Sequence, residues 1–198
     1  ARACIGQGLR GCIYPHNSRW IFDMTGKTII LGMLAIALLT GGSIYYLQVY
    51  AYYEDVTAQV DKIQLTSAST GQLENIMFEN VKAIDSNSSP LRYRACFDVT
   101  QSLDALTATY EIYDDIAPRI APGWFDCFDA EQIGNDLEAG LATGFLGVKD
   151  FKYGIDRVVA VYPDGRAYSW HQINPCGDVV FDGNFPPDDC PPVPESLK

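Results

Sequence analysis

Histidine is scarce in this chain, with two in 198 residues, and only His171 lies beyond the first twenty. Enzymes that move protons bring His, Cys or paired carboxylates within reach of one another. A single ring beside Trp170, inside an expected strand, reads first as a structural histidine hydrogen-bonded to a neighbour. No G-x-S-x-G elbow is present to raise a nucleophilic serine. Neither a C-x-x-C redox pair nor a C-x-x-C-H haem attachment occurs. Carboxylates cluster at Asp114-Asp115, at Asp126 with Asp129, and at Asp188-Asp189, but none has the D-x-D-x-D-G spacing of a calcium loop. Asp126 and Asp129 fit better as charges at a helix N-terminus. The sequence therefore assigns no catalytic residue, metal ligand or cofactor.

Basic residues are also few: Lys and Arg number 14 against 25 Asp and Glu, for a formal net charge of −11. Residues 1–53 hold Arg2, Arg10, Arg19 and Lys27 against Asp23 (+4 − 1 = +3), so everything after Tyr53 carries −14. A domain of that sign repels nucleic acid, which is excluded as a partner, and its acidity serves solubility first. A basic protein patch is the partner it could attract.

Charge is missing altogether from Thr28 to Tyr53, TIILGMLAIALLTGGSIYYLQVYAYY. A bilayer core needs about 20 mostly apolar residues in helical form, and this run is slightly longer. Tyr45, Tyr46, Tyr50, Tyr52 and Tyr53 form the aromatic belt expected where a helix leaves lipid for headgroups. We read residues 24–53 as one transmembrane anchor, with the lipid bilayer as its first partner. The positive flank places the N-terminus in the cytoplasm and sends the rest of the chain across. The rival reading is a cleaved secretory signal starting at Met24, with Thr40-Gly41-Gly42 as the cleavage region. Apolar residues continuing to Tyr53 speak against it. Small residues at Ala37 and Gly41, four apart, mark a face on which a second helix could pack; the alternative is a lone anchor.

Residues 1–23 lack helical or strand periodicity and a leading Met, and read as an upstream extension or disordered tail. Cys4, Cys12 and His16 there have the wrong spacing for a zinc site. Residues 54–80 are mixed and polar, and read either as a linker or as edge strands around Val60–Leu65 and Ile76–Phe78. The folded domain is expected over 81–198. Within it Leu91–Val99 alternates as a strand. Thr100 or Ser102 caps a helix ending near Tyr113, and Asp129 with Gln132 opens another with a capping-box pattern. Thr143–Val148 suggests a short strand. The firmest local feature is the hairpin Ile155–Tyr162 and Arg166–Ile173 around Pro163-Asp164-Gly165. Val179–Phe181 is expected as a last short strand, followed by a proline-rich tail. Strands and helices come mixed, which predicts an α+β domain with an antiparallel sheet and two helices.

Four cysteines, Cys96, Cys127, Cys176 and Cys190, fall in the exported part, where an oxidising compartment lets disulfides persist. Of three possible pairings, Cys96–Cys127 and Cys176–Cys190 are favoured because each closes a near loop. Around the first bridge Trp124, Phe125 and Phe128 form the most aromatic stretch. With Trp170 they are candidates for an interaction surface, or else the core packed against the bridge.

The stretches SSPLRYRACFDV, APGWFDCFDAEQIG and YGIDRVVAVYPDGRAYSWHQINPCGDVVFDG, with MTGK ahead of YYLQVYAYYE, resemble an uncharacterised family of single-span alphaproteobacterial membrane proteins, described only as a domain of unknown function. The resemblance covers Met24 to about Pro192 and leaves residues 1–23 outside. It implies a bacterial inner-membrane location with the domain in the periplasm, and it transfers no functional residue. Three functional classes follow: a non-enzymatic interaction domain or accessory subunit of an envelope complex, contacting an unidentified membrane or periplasmic protein; a ligand-binding or sensing domain with a pocket lined by Trp124–Phe128 and Tyr168–Trp170; and, least supported, a hydrolase using His171 with an Asp.

Overall fold

A computed structural model of the protein describes residues 26–195. The readings placed on residues 1–23, on Cys4, Cys12 and His16, and on a start at Met24 lie outside the described residues. The chain forms two units, residues 1–42 and 43–198.

Helix α1 spans Gly26–Tyr46, and every side chain on it is exposed. Its apolar residues circle the whole helix rather than forming one stripe, the pattern of a helix surrounded by hydrocarbon. With the π-helical turn Leu47–Ala51 that continues it, the run has 26 residues, and an 18-residue stretch within it reaches a mean hydropathy of 1.9, long and apolar enough to cross a bilayer. A signal sequence has the same properties. Ala37 and Gly41 stand about one turn apart on α1, both exposed.

The second unit is α+β. Its six-stranded antiparallel sheet consists of β1 (Glu54–Asp55), β4 (Phe78–Asp85), β5 (Arg94–Val99), β8 (Arg166–Ile173), β7 (Ile155–Val161) and β6 (Thr143–Lys152), in that spatial order. A separate hairpin, β2 (Ile63–Thr66) and β3 (Leu73–Ile76), lies beside β6, where the Thr66 hydroxyl donates to the Gly147 carbonyl at 3.0 Å. The helices are α2 (Leu103–Thr109), α3 (Ala130–Glu138) and α4 (Pro175–Phe181).

Period-2 alternation explains the layering. Ala95, Phe97 and Val99 on β5, Val159 and Val161 on β7, and Ala167 on β8 face a cluster completed by Ile63, Leu65, Leu106 and Tyr110 from β2, α2 and the turn after it. The intervening Cys96, Val158, Ala160, Tyr168 and Trp170 face the opposite side, where Phe125, Phe128 and Ile133 cover them. A strand buried on both faces reads as a continuous apolar run, hence Val158–Val161.

The structure departs from the sequence reading in four places. Leu65 is 0 % exposed and Ile63 is buried beside it, so the domain starts well before Val81; of the two readings of residues 54–80 the strands hold, with β1 to β3 and the start of β4 there. Strand β6 runs ten residues, past Val148 to Lys152, because two register shifts let it follow β7 to the turn. The first domain helix stops at Thr109; Tyr110 is already extended and bridges Ser67, and Ile112 bridges Phe145. Finally Val179–Phe181 is the end of helix α4, not a strand. The Asn174 side chain accepts from Gly177 N at 3.0 Å and Pro175 occupies the first helical position, a helix start that outweighs the β propensity of two valines. Among the described residues the domain thus has three α-helices instead of two.

Candidate functional site

The Cys96–Cys127 and Cys176–Cys190 disulfides are both formed, spanning 31 and 14 residues. The first bolts the segment after Pro122 onto β5. Directly before the bridge, Trp124 turns back to the start of the unit: its Nε1 donates to the Val49 carbonyl at 2.7 Å. The ring stacks on Tyr50 (centroids 6.5 Å apart) and meets Tyr53 edge-on at 6.1 Å. Backbone carbonyls near the end of a helix lack intrahelical donors, and an indole N–H is suited to satisfy one. The Arg92 guanidinium lies 5.4 Å from the ring centres of both Tyr52 and Tyr53. Three of the five tyrosines that the sequence offers as an interfacial belt, Tyr50, Tyr52 and Tyr53, therefore also pack against Trp124 or Arg92.

Arg94 holds this segment from beneath. Strand alternation points it to the same face as Cys96, where it is 3 % exposed. Its Nε donates to the Arg119 carbonyl at 2.7 Å and its Nη2 to the Ile120 carbonyl at 3.2 Å, while Nη1 reaches the carbonyls of Leu91 and Tyr93. Burial pulls its pKa down to about 10, so the group remains cationic at neutral pH.

Of the aromatic candidates, Trp124 alone remains half-buried at the surface. Phe125 and Phe128 are core residues, and Phe128 packs edge-on against Tyr168 and Trp170 at 5.9 and 5.8 Å. Trp170 is 0 % exposed and is no surface for a partner: its position on β8 puts it on the face that α3 and the bridged segment cover. Its indole N–H donates to the Ala117 carbonyl at 3.0 Å. The pocket expected between Trp124–Phe128 and Tyr168–Trp170 is filled by these side chains. A hollow of about 480 Å³ opens outside them, floored by Phe125 and Phe128 and rimmed by Ile120, Asp126 and Glu131.

His171 is packed as a structural group. Tyr93 and Phe151 sandwich the imidazole, with centroids at 4.9 and 4.4 Å. Arg157 Nε donates to its Nε2 at 2.9 Å and its Nδ1 lies 2.6 Å from the Pro90 carbonyl. The ring is thus a neutral Nδ1–H tautomer with both nitrogens engaged. Burial, followed by the Arg157 charge, lowers its pKa to about 3. No lone pair is left to accept a substrate proton.

A second polar constellation is absent from the sequence reading. Asp156, buried on β7, accepts from Tyr113 Oη at 3.1 Å, from Asn174 Nδ2 at 2.9 Å and from Asp150 N at 2.8 Å. Asp150 takes a left-handed backbone (φ 47°) and itself accepts from Gly154 N and Asn174 Nδ2. Tyr113, Asp156 and Asn174 line a cleft of about 350 Å³ together with Lys149 and Cys176. Burial and the Asp156 carboxylate raise the Tyr113 pKa well above the phenol range. Charged residues at inward positions of apolar strands, Arg94 in RACFDV and Asp156 in IDRVVAV, were the available signal, since burial of a charge demands partners. Asp129 caps α3 by accepting from Gln132 N at 3.1 Å, whereas Gln132 turns to Asp136 instead of closing the capping box. Among the described residues no group of three or more His, Cys, Asp or Glu could hold a metal ion.

The fold and these fixings define a small disulfide-bonded α+β domain that follows, among the described residues, one long apolar helix. Residues 63–191 match the model of a family of unknown function (DUF6446), and the chain belongs to that family. No curated protein and no solved structure matches the chain.

Proposed function

We propose that this protein is anchored in a bacterial inner membrane, N-terminus inside, and presents a periplasmic domain that works through contacts with other envelope proteins rather than by catalysis. The observation carrying this reading is the bond from Trp124 to the Val49 carbonyl. It ties the loop before the Cys96–Cys127 bridge to the last turn of the apolar run, so that the end of that run is built into the domain. The two bridges support an oxidising compartment, and the positive flank ahead of Thr28 supports the orientation. The non-catalytic part rests on how the buried polar side chains are used. His171, Arg94 and Asp156 each spend their hydrogen-bonding capacity on the fold itself.

Affinity purification of the full chain in mild detergent, followed by mass spectrometry, tests the proposal. A stoichiometric protein partner is the expected result. Recovery of the protein alone, or with only a small molecule retained, overturns it in favour of a sensing domain.

A further inference from the structure

The loop from Ala117 to Trp124 has three properties that belong together. Its far end touches the last residues of the apolar run, through the Trp124 contacts to Val49, Tyr50 and Tyr53. Its backbone is held at several points before any partner arrives. Arg94 grips the Arg119 and Ile120 carbonyls, the Trp170 indole grips Ala117 O, Gln172 accepts from Ala117 N, and Cys127 is bridged just beyond. What the loop displays is apolar and cationic: Ile120 is 84 % exposed, Arg119 stands beside it, and no carboxylate occurs between Asp115 and Asp126 in an otherwise acidic domain.

We propose that this loop is a second membrane contact, in which Ile120 and Trp124 enter the interfacial zone of the bilayer that holds α1 and Arg119 meets lipid phosphate. The inference rests on the anchor reading. Tryptophan and tyrosine favour the headgroup level, and arginine donates to phosphate oxygens in a forked geometry. A loop ordered in advance loses little conformational freedom on contact. The loop itself adds no carboxylate to oppose an anionic surface, and Arg119 offsets the Asp126 and Glu131 side chains that share the hollow rimmed by Ile120. The contact would set the domain's height and tilt on the membrane.

The test uses the full chain with Cys4 and Cys12 changed to Ser and an environment-sensitive fluorophore on Ile120→Cys. The protein is reconstituted into vesicles of phosphatidylethanolamine and phosphatidylglycerol. Met77→Cys carries the control label: it is exposed and immediately precedes β4, at the end of the β4–β5 pair opposite Arg94. The proposal expects blue-shifted emission at position 120, quenching by lipids bearing a headgroup-proximal nitroxide, and protection from aqueous iodide; the label at 77 should behave as in water. Iodide quenching of both labels in vesicles that retain the protein through an alkaline wash overturns the loop contact and leaves the anchor standing. Protection from iodide without quenching by the lipids also overturns it, in favour of a protein contact. Release of a chain whose mass begins after Gly42 overturns the anchor and the loop contact together.

Discussion

His171 shows how a residue type that suggests chemistry can be absorbed by packing. Its neutral ring lies between two aromatic faces, with Arg157 only 4.6 and 4.7 Å from the same two ring centres. A second positive charge there is unfavourable. The consequence for stability has a definite sign. Above the ordinary value of 6.5 the ring is neutral folded or unfolded; below it the unfolded chain takes up a proton that the folded ring refuses until about pH 3. The folded state therefore loses about 1.4 kcal/mol for each pH unit between those limits. Replacing His171 by Gln keeps one acceptor and one donor but does not titrate. We expect wild type to be the more stable at pH 7 and its advantage to shrink by about 2.5 kcal/mol at pH 4.5, read from urea unfolding at both pH values. Burial raises the pKa of Asp85 nearby, which acts in the opposite direction; because Asp85 is present in both proteins, the comparison isolates the ring.

Among the elements, the short helix α4 depends on neighbours more than on its own seven residues, since an isolated helix of that length is unstable in water. Asn174 serves both as its cap and as a donor to Asp156 and Asp150. Gly177 packs directly against the Gly154 carbonyl in the β6–β7 turn, where a side chain would also press on Ile173. We expect Gly177→Ala to destabilise the domain by roughly 2–3 kcal/mol through overpacking. Asp129→Ala, which removes only the cap of α3, should cost about 1 kcal/mol. Thermal melts followed by tryptophan fluorescence give both values; a neutral Gly177→Ala would mean that the turn and the helix are not in contact. This element also shows why pattern reading falls short. Val179-Val180-Phe181 has strand composition, and only the cap, the proline and the glycine contact turn it into a helix.

At the scale of the whole molecule the two disulfides do different work. The Cys96–Cys127 bridge encloses α2 and the loop that reaches Val49, so it ties the sheet to the attachment point of the domain. Loop-closure arguments put it at about 3–4 kcal/mol, and Cys96→Ser with Cys127→Ser should lower the melting temperature strongly and loosen the Trp124 environment, seen as a fluorescence shift. The Cys176–Cys190 loop would contribute about 3 kcal/mol by the same estimate. Yet it fastens a tail beyond Gly183 in which Phe185 stands in solvent, so its removal should open the tail locally and cost the global transition less. Equal losses for the two pairs would contradict this ranking.

The apolar helix, the cysteine pairing, the β7–β8 hairpin and the mixed α+β character were all readable from residues alone. Each follows from a local quantity: uninterrupted hydropathy, loop length, turn chemistry or period-2 alternation. Tertiary structure decided which aromatics are surface and which are core, that residues 54–80 belong to the domain, and that Arg94, Asp156 and His171 have their partners inside the fold. Those outcomes depend on which face of the sheet another segment covers. That is set by contacts far apart in the chain; a charge at an inward strand position, as at Arg94 and Asp156, signals that partners are needed but does not name them.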